Sequence, residues 1–213
     1  MIVYGSHLSP FVRKVMIYAA EKGIELELQN ALPGGTDPEF RRISPFGKIP
    51  GFVDGDFAIS DSTAIITYLE AKYPEPALIP ADPRERARVV WFDEFADTIL
   101  TAAAGKCFFN RIVAPMMGRP QDLAAADRAE AEELPPIFAW VESQLPESGH
   151  FVGDRLTLAD ISVASPFVNL RHCASPIDAA TYPKLAAFLD HWFARASLSP
   201  LVAREDKMLK RAA

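Results

Sequence analysis

The chain has 213 residues, of which 49% are hydrophobic and 23% charged, and it carries a net charge of −6. That length supports one large domain or two small ones with a sizeable core. The acidic balance, with no long basic run, argues against nucleic acid as the main partner. No segment approaches the roughly 18 apolar residues expected of a membrane span, so no membrane partner is expected.

The N-terminus, Met1–Gly5, reads as a strand and not as a charged region before an apolar signal core. Cys107 and Cys173 lie far apart. They form no CxxC motif and no ligand cluster with the four histidines, so no metal is expected. Free thiols in a cytoplasmic protein are the default expectation.

Ile2–Tyr4 is a short β-type run, followed by a loop at 5–8. Ser9-Pro10 is a strong helix start: serine serves as N-cap and proline suits the first helical position. Phe11, Val12, Val15, Met16 and Ala19 give this helix a broad apolar face, and Gly23 marks its stop. Ile24, Leu26 and Leu28 alternate with Glu25 and Glu27, the pattern of a half-exposed strand. A β-α-β opening favours a parallel strand pair with a right-handed crossover. Residues 30–46 hold Pro33, Gly34, Gly35, Pro38 and Pro45, and read as a loop with at most one helical turn around Glu39–Ile43.

Gly51–Val53 reads as a strand entered through Lys48, Ile49 and Pro50. Asp54-Gly55 signals a hairpin turn, and Phe57–Ile59 returns. Ser60 or Asp61 caps a helix with Ile65, Ile66 and Leu69 at helical spacing. Pro50 has two readings. It is a trans boundary of the strand, or it follows a cis bond. A cis bond would turn the Ile49 N–H and C=O outward toward an extended, peptide-like ligand. Asp61-Ser62 likewise either caps the helix alone or offers a carboxylate, a hydroxyl and free helix N–H groups to an α-amino-acid head group.

Pro76, Pro80 and Pro83 make 76–83 the best domain boundary, dividing the chain into 1–75 and 84–213. From Arg84 the pattern is helical, with Val89, Val90, Phe92, Phe95, Ala96 and Ile99 apolar. It continues through Phe108, Phe109, Ile112 and Val113, with a bend expected at Gly105. Residues 122–145 are helical and must be kinked or divided at Pro135-Pro136. Thr157 and Asp160 have the spacing of a capping box, a structural signal. Another helix spans 183–196. No strand is expected after Ile59.

Three stretches then combine: Pro45–Pro50, Ser60–Ile65 and Leu156–Asp160. In that order they resemble the cis-proline, γ-glutamyl and capping motifs of the cytosolic glutathione S-transferase family, over nearly the whole chain. Ser-Pro-Phe at 9–11 followed by Arg13 is similar to the serine-type, bacterial-like members. The resemblance implies an α/β thioredoxin-like N-terminal domain plus an all-α C-terminal domain. It implies glutathione as co-substrate, with Asp61 and Ser62 at its γ-glutamyl group, Ile49 and Pro50 at its cysteinyl backbone, and Lys48 at its glycyl carboxylate. It also implies a homodimer.

The activity implied is conjugation of the glutathione thiolate to hydrophobic electrophiles. Other glutathione-dependent reactions on the same fold (isomerase, dehalogenase, ether cleavage) and a non-catalytic binding module remain open. Ser9 is the catalytic candidate, as a hydroxyl donor to sulfur at a helix N-terminus. Tyr4, Ser6 and His7 are its rivals. An apolar electrophile site between the domains would draw on Leu8, Phe11, Phe95, Ile99 and Phe109.

Overall fold

The computed structural model describes residues 1–212 and divides into two compact units, Met1–Ile79 and Pro80 onward. The first unit is built on a four-stranded sheet of order β2-β1-β3-β4. Strand β1 (Ile2–Gly5) pairs parallel with β2 (Glu27–Asn30) and antiparallel with β3 (Gly51–Asp54), which pairs antiparallel with β4 (Phe57–Ser60). Strand β2 begins later than the alternation at 24–28 suggests. Ladder pairing with Ile2–Gly5 decides the strand, not the local apolar period. The hairpin turn is Gly55-Asp56, one residue beyond the Asp54-Gly55 signal, because Asp54 still pairs with Phe57. Gly55 supplies the positive φ, 64°, that such two-residue turns need at their first position.

Helix α1 (Pro10–Glu21) ends at Lys22, and Gly23 takes φ 68°. Val12, Val15, Ile17, Tyr18 and Ala19 are buried, and so are Arg13 and Lys14. Helix α3 (Ser62–Lys72) packs beside it through Ile65, Ile66 and Leu69, each 0% exposed. Their polar contacts meet at Glu70. This carboxylate accepts hydrogen bonds from the Tyr18 hydroxyl, from Lys22 Nζ at 2.6 Å, and from the Leu78 and Ile79 N–H groups at 3.1 and 3.0 Å. Lys22 Nζ also donates to the Pro76 carbonyl at 2.6 Å. Glu70 thus ties α1 to the chain segment that leaves this unit.

Helix α2 (Pro38–Ile43) lies on the opposite face of the sheet. Successive side chains along a strand alternate faces. The Tyr4 ring lies 6.4 Å from that of Phe40, and a Cβ on Gly51 would meet Ile43 at 2.9 Å. On the other face, a Cβ on Gly5 would stand 2.4 Å from Val12 Cγ2. Glycine at position 5 is what lets the first turn of α1 approach the sheet.

The second unit is helical: α4 (Pro83–Phe95), α5 (Thr101–Phe108), α6 (Ala114–Met116), α7 (Leu123–Arg128), α8 (Leu134–Gln144), α9 (Leu158–His172), α10 (Pro183–Ala194) and α11 (Ser199–Ala212). Three π-helical turns, Ala96–Leu100, Phe109–Val113 and Ala129–Glu133, join consecutive segments. The bend expected at Gly105 is absent: Gly105 lies inside α5, and the departures from α geometry flank it. Pro135-Pro136 sit in the first turn of α8, just after the third π-helical turn, where their missing N–H groups are tolerated.

Every residue of α9 from Leu158 to Leu170 is buried. Trp91, Phe92 and Phe95 of α4 form an aromatic cluster with Trp140 and Phe151; Phe95 and Trp140 have centroids 4.6 Å apart. Among the described residues, no helix is long and apolar enough to cross a membrane.

Candidate glutathione site

The pairing of Tyr4 with Gly51, and of Gly51 with Ser60, places the C-terminal end of β1, the start of β3 and the end of β4 at one edge of the sheet. Three loops therefore meet there. The Gly5–Ser9 loop leads from β1 into α1. The Lys48–Pro50 segment leads into β3. Asp61 leads from β4 into α3. A hydrogen bond from the Asp61 N–H to the Pro50 carbonyl, 3.2 Å, closes the last two against each other. A Cβ on Gly5 would stand 3.5 Å from Ile49 Cβ, which brings the first loop alongside.

Ser9 is the N-cap of α1, with φ −78° and ψ 126°. Its Oγ accepts the Val12 N–H at 3.4 Å, and its own N–H donates to the Ser6 carbonyl at 3.1 Å. Capping uses a lone pair of this oxygen and leaves its hydroxyl proton to be donated elsewhere. The capping and donor roles of Ser9 are therefore compatible.

The rivals are placed differently. Tyr4 points to the α2 face of the sheet, away from the face that receives Val12. Burial, then the nearby Glu39, Glu27 and Asp37 carboxylates, push its phenol above the ordinary value. Ser6 Oγ accepts the Leu8 N–H at 3.3 Å and shapes the loop. His7 is half-buried in the same loop.

The Ile49–Pro50 bond is cis. Ile49 lies outside both ladders of β3, whose pairing begins at Gly51. Lys48 is exposed, and its carbonyl accepts the Ser44 hydroxyl at 2.7 Å.

Asp61, not Ser60, is the N-cap of α3, and its Oδ1 accepts the Thr63 and Ala64 N–H groups at 2.9 and 3.0 Å. Its backbone has φ 89°, a region that side-chain-bearing residues rarely occupy. Such strain clusters where surrounding structure over-determines a functional backbone. Ser62, 2% exposed, follows in the first turn. The Lys14 ammonium, on α1, reaches Thr63 Oγ1 at 3.3 Å. The edge thus offers a helix-terminal hydroxyl, an unpaired strand entrance, a carboxylate and a helix N-terminus to one ligand.

The apolar candidates divide by burial. Phe95 is 5% exposed, stacked on Trp91 and tilted against Trp140, so aromatic packing within the helical unit holds it. Ile99 and Phe109 are 49% and 41% exposed. Leu8 is buried and Phe11 half-buried. Cys107 and Cys173 are free and buried. Burial raises both thiols, that of Cys173 to about 12, so neither is a reactive thiolate.

Three further residues with structural consequences carry no local sequence signal. Arg41 acts through the carbonyls of Gly34, Gly35 and Pro45, Glu70 through the N–H groups of Leu78 and Ile79, and His150 lies with its Nδ1 3.6 Å from the buried Asp160 carboxylate.

The comparisons with known proteins agree with this geometry. Residues 3–77 match the glutathione S-transferase N-terminal domain and residues 108–203 the C-terminal domain. The chain is 31% identical to glutathione S-transferase 3 of Zea mays over 94% of this chain and 92% of that one. It is 32% identical to the uncharacterized GST-like protein YibF of Escherichia coli, over 93% and 96%. The structure of maize glutathione S-transferase I in complex with an atrazine–glutathione conjugate superposes with a TM-score of 0.82 at 27% identity, covering 95% of this chain and 96% of that one. The chain belongs to the glutathione S-transferase family.

Proposed function

We propose that this chain binds glutathione at the sheet edge and conjugates its thiolate to hydrophobic electrophiles, as a serine-type transferase. The γ-glutamyl head group meets the Asp61 carboxylate and the α3 N-terminus with Ser62. The cysteinyl backbone pairs with the Ile49 peptide beside Pro50. The Lys48 ammonium answers the glycyl carboxylate as a flexible point charge. The observation that carries the reading is the state of Ser9: its oxygen caps α1 through Val12 while its proton stays available at the helix N-terminus.

A free thiol near pKa 8.5 is mostly protonated at neutral pH, and the thiolate is the nucleophile. Lowering that value by two units requires about 2.7 kcal/mol. A hydrogen bond to a charged group, about 1.5–3 kcal/mol, with a helix end at about 0.3–1 kcal/mol, is of that size. The anion then attacks the electrophilic carbon, forming the C–S bond as the leaving group departs with its electron pair. Positioning and stabilisation of sulfur carry the rate, and Ser9 gains no covalent bond.

Leu8, Phe11, Phe95, Ile99 and Phe109 are the candidates for the apolar co-substrate. The conjugate in the maize relative supports this chemistry. We also propose a cytoplasmic homodimer. The large apolar side chains exposed at Phe46 and Trp91, 86% and 50%, support self-association, which sedimentation would read directly.

Turnover with glutathione and a chloronitrobenzene electrophile tests the assignment. Ser9→Ala should lower kcat/KM about 100-fold, the scale of removing one preorganised donor. Unchanged turnover would remove Ser9 from the mechanism, and loss in Tyr4→Phe or His7→Ala instead would reassign the donor.

A further inference from the structure

Arg41, in the last turn of α2, spends its guanidinium on backbone carbonyls. Nε donates to Gly35 at 2.7 Å, one terminal nitrogen to Pro45 at 3.0 Å, and the other to Gly34 at 3.3 Å. These carbonyls come from both ends of the segment that α2 interrupts. The two ends also bond each other, Gly34 N–H to Gly47 carbonyl at 2.8 Å.

The guanidinium lies over Gly47, where a Cβ would stand 2.9 Å from Arg41 Cζ, and Gly47 takes φ 65°. Beyond it, Ser44 holds the Lys48 carbonyl. The chain that enters Lys48, Ile49 and Pro50 is therefore fixed from Gly34 to Lys48 by one planar fork and its neighbours.

We infer that Arg41 is a positioning residue for glutathione: it sets the loop that presents Lys48 and the Ile49 peptide to the cysteinyl-glycine half of the tripeptide. The inference rests on the glutathione reading above. Arg41 acts through backbone and touches no reacting atom. Its three donors point to three different carbonyls, a geometry a lysine cannot copy, because an ammonium is a single point charge. Arg42, next in sequence and exposed, supplies the control: the same charge without the clamp. Without the fork, the three carbonyls turn to water and the loop samples conformations in which Ile49 is misdirected. The loss falls on binding of glutathione, while thiolate stabilisation at Ser9 is untouched.

The test combines steady-state kinetics in glutathione with amide hydrogen exchange, on the full chain. Arg41→Met should raise the glutathione KM about tenfold while kcat at saturation stays within about twofold. Arg41→Lys should recover only a small part, and Arg42→Met should behave as wild type. The Gly34 and Gly47 amides should exchange faster in Arg41→Met. An unchanged KM in Arg41→Met, or an equal rise in Arg42→Met, overturns the positioning role. If the wild type binds no glutathione while Arg41→Met still loosens those amides, the glutathione reading has failed and the positioning role falls with it, the clamp remaining purely structural.

Discussion

Each unit has a carboxylate that gathers backbone N–H groups from a loop, half-buried Glu70 in one and buried Asp160 in the other, and the two are balanced by different cations. In the sheet unit, Glu70 holds the Leu78 and Ile79 N–H groups and answers Lys22, whose side chain is 0% exposed. In the helical unit, Asp160 holds the Phe151 N–H at 2.9 Å and the Thr157 N–H and hydroxyl at 2.8 and 3.2 Å, closing the capping box of α9. The cation source beside it is His150, with Nδ1 3.6 Å from Oδ2. The difference is physical: histidine is the side chain whose charge changes near neutral pH. One unit is locked by an ammonium and the other by a group that titrates, so acid and base should act on them unequally.

The largest effect is expected at Glu70. Glu70→Ala leaves the buried Lys22 ammonium to the Pro76 carbonyl and the face of the Tyr18 ring, without a countercharge in place of Glu70, and should cost about 3–5 kcal/mol in chemical denaturation, the scale of leaving a buried charge uncompensated. Asp160→Ala comes next. It removes a helix cap and leaves the buried Phe151 N–H unsatisfied, for about 2–4 kcal/mol. A greater loss at Asp160 than at Glu70 would invert the ranking and show that the capping network, not the countercharge to buried Lys22, dominates.

The smallest and most informative effect is at His150. The Asp160 carboxylate raises its pKa, burial opposes this, and Asp154 adds to the rise while Arg195 subtracts. A raised folded-state value means that its contribution is fully present below the unfolded value near 6.5 and is lost as pH climbs through the folded value. The stability gap between wild type and His150→Gln should therefore be widest in mild acid and shrink steadily as pH rises from about 6.5. A gap that is flat with pH would show that the imidazole acts by packing and not by charge.

The same contrast separates what was legible in the chain from what was not. Ser9-Pro10, Asp61 and Thr157–Asp160 are local signals, a cap and the helix it starts, and each sits where the residues place it. The meeting of Ser9, Ile49–Pro50 and Asp61–Ser62 at one sheet edge follows from a β-α-β opening and a hairpin. The Glu70 hub is not local, and the Arg41 clamp, though its partners lie between Gly34 and Pro45, follows no cap or periodic pattern. Tyr18 and Lys22 lie far from Glu70 in sequence, and one glutamate among several announces nothing.

Phe95 shows the opposite limit: an apolar residue at helical spacing suits a pocket or a core equally, and its packing against Trp91 and Trp140 is visible only in three dimensions. The π-helical turns escaped because the apolar period that defines a helix persists through them, while Gly105, the visible weak point, stays regular.

The central claim is that Ser9 holds the glutathione sulfur as an anion. Its most direct test is an ultraviolet difference titration of bound glutathione from about pH 5 to 9, in wild type and Ser9→Ala, following the thiolate band. The account predicts a bound-thiol pKa about two units below the free value near 8.5 in the wild type, returning toward that value in Ser9→Ala. Binding with an unshifted pKa in the wild type, or a shift that survives the loss of the hydroxyl, would contradict it.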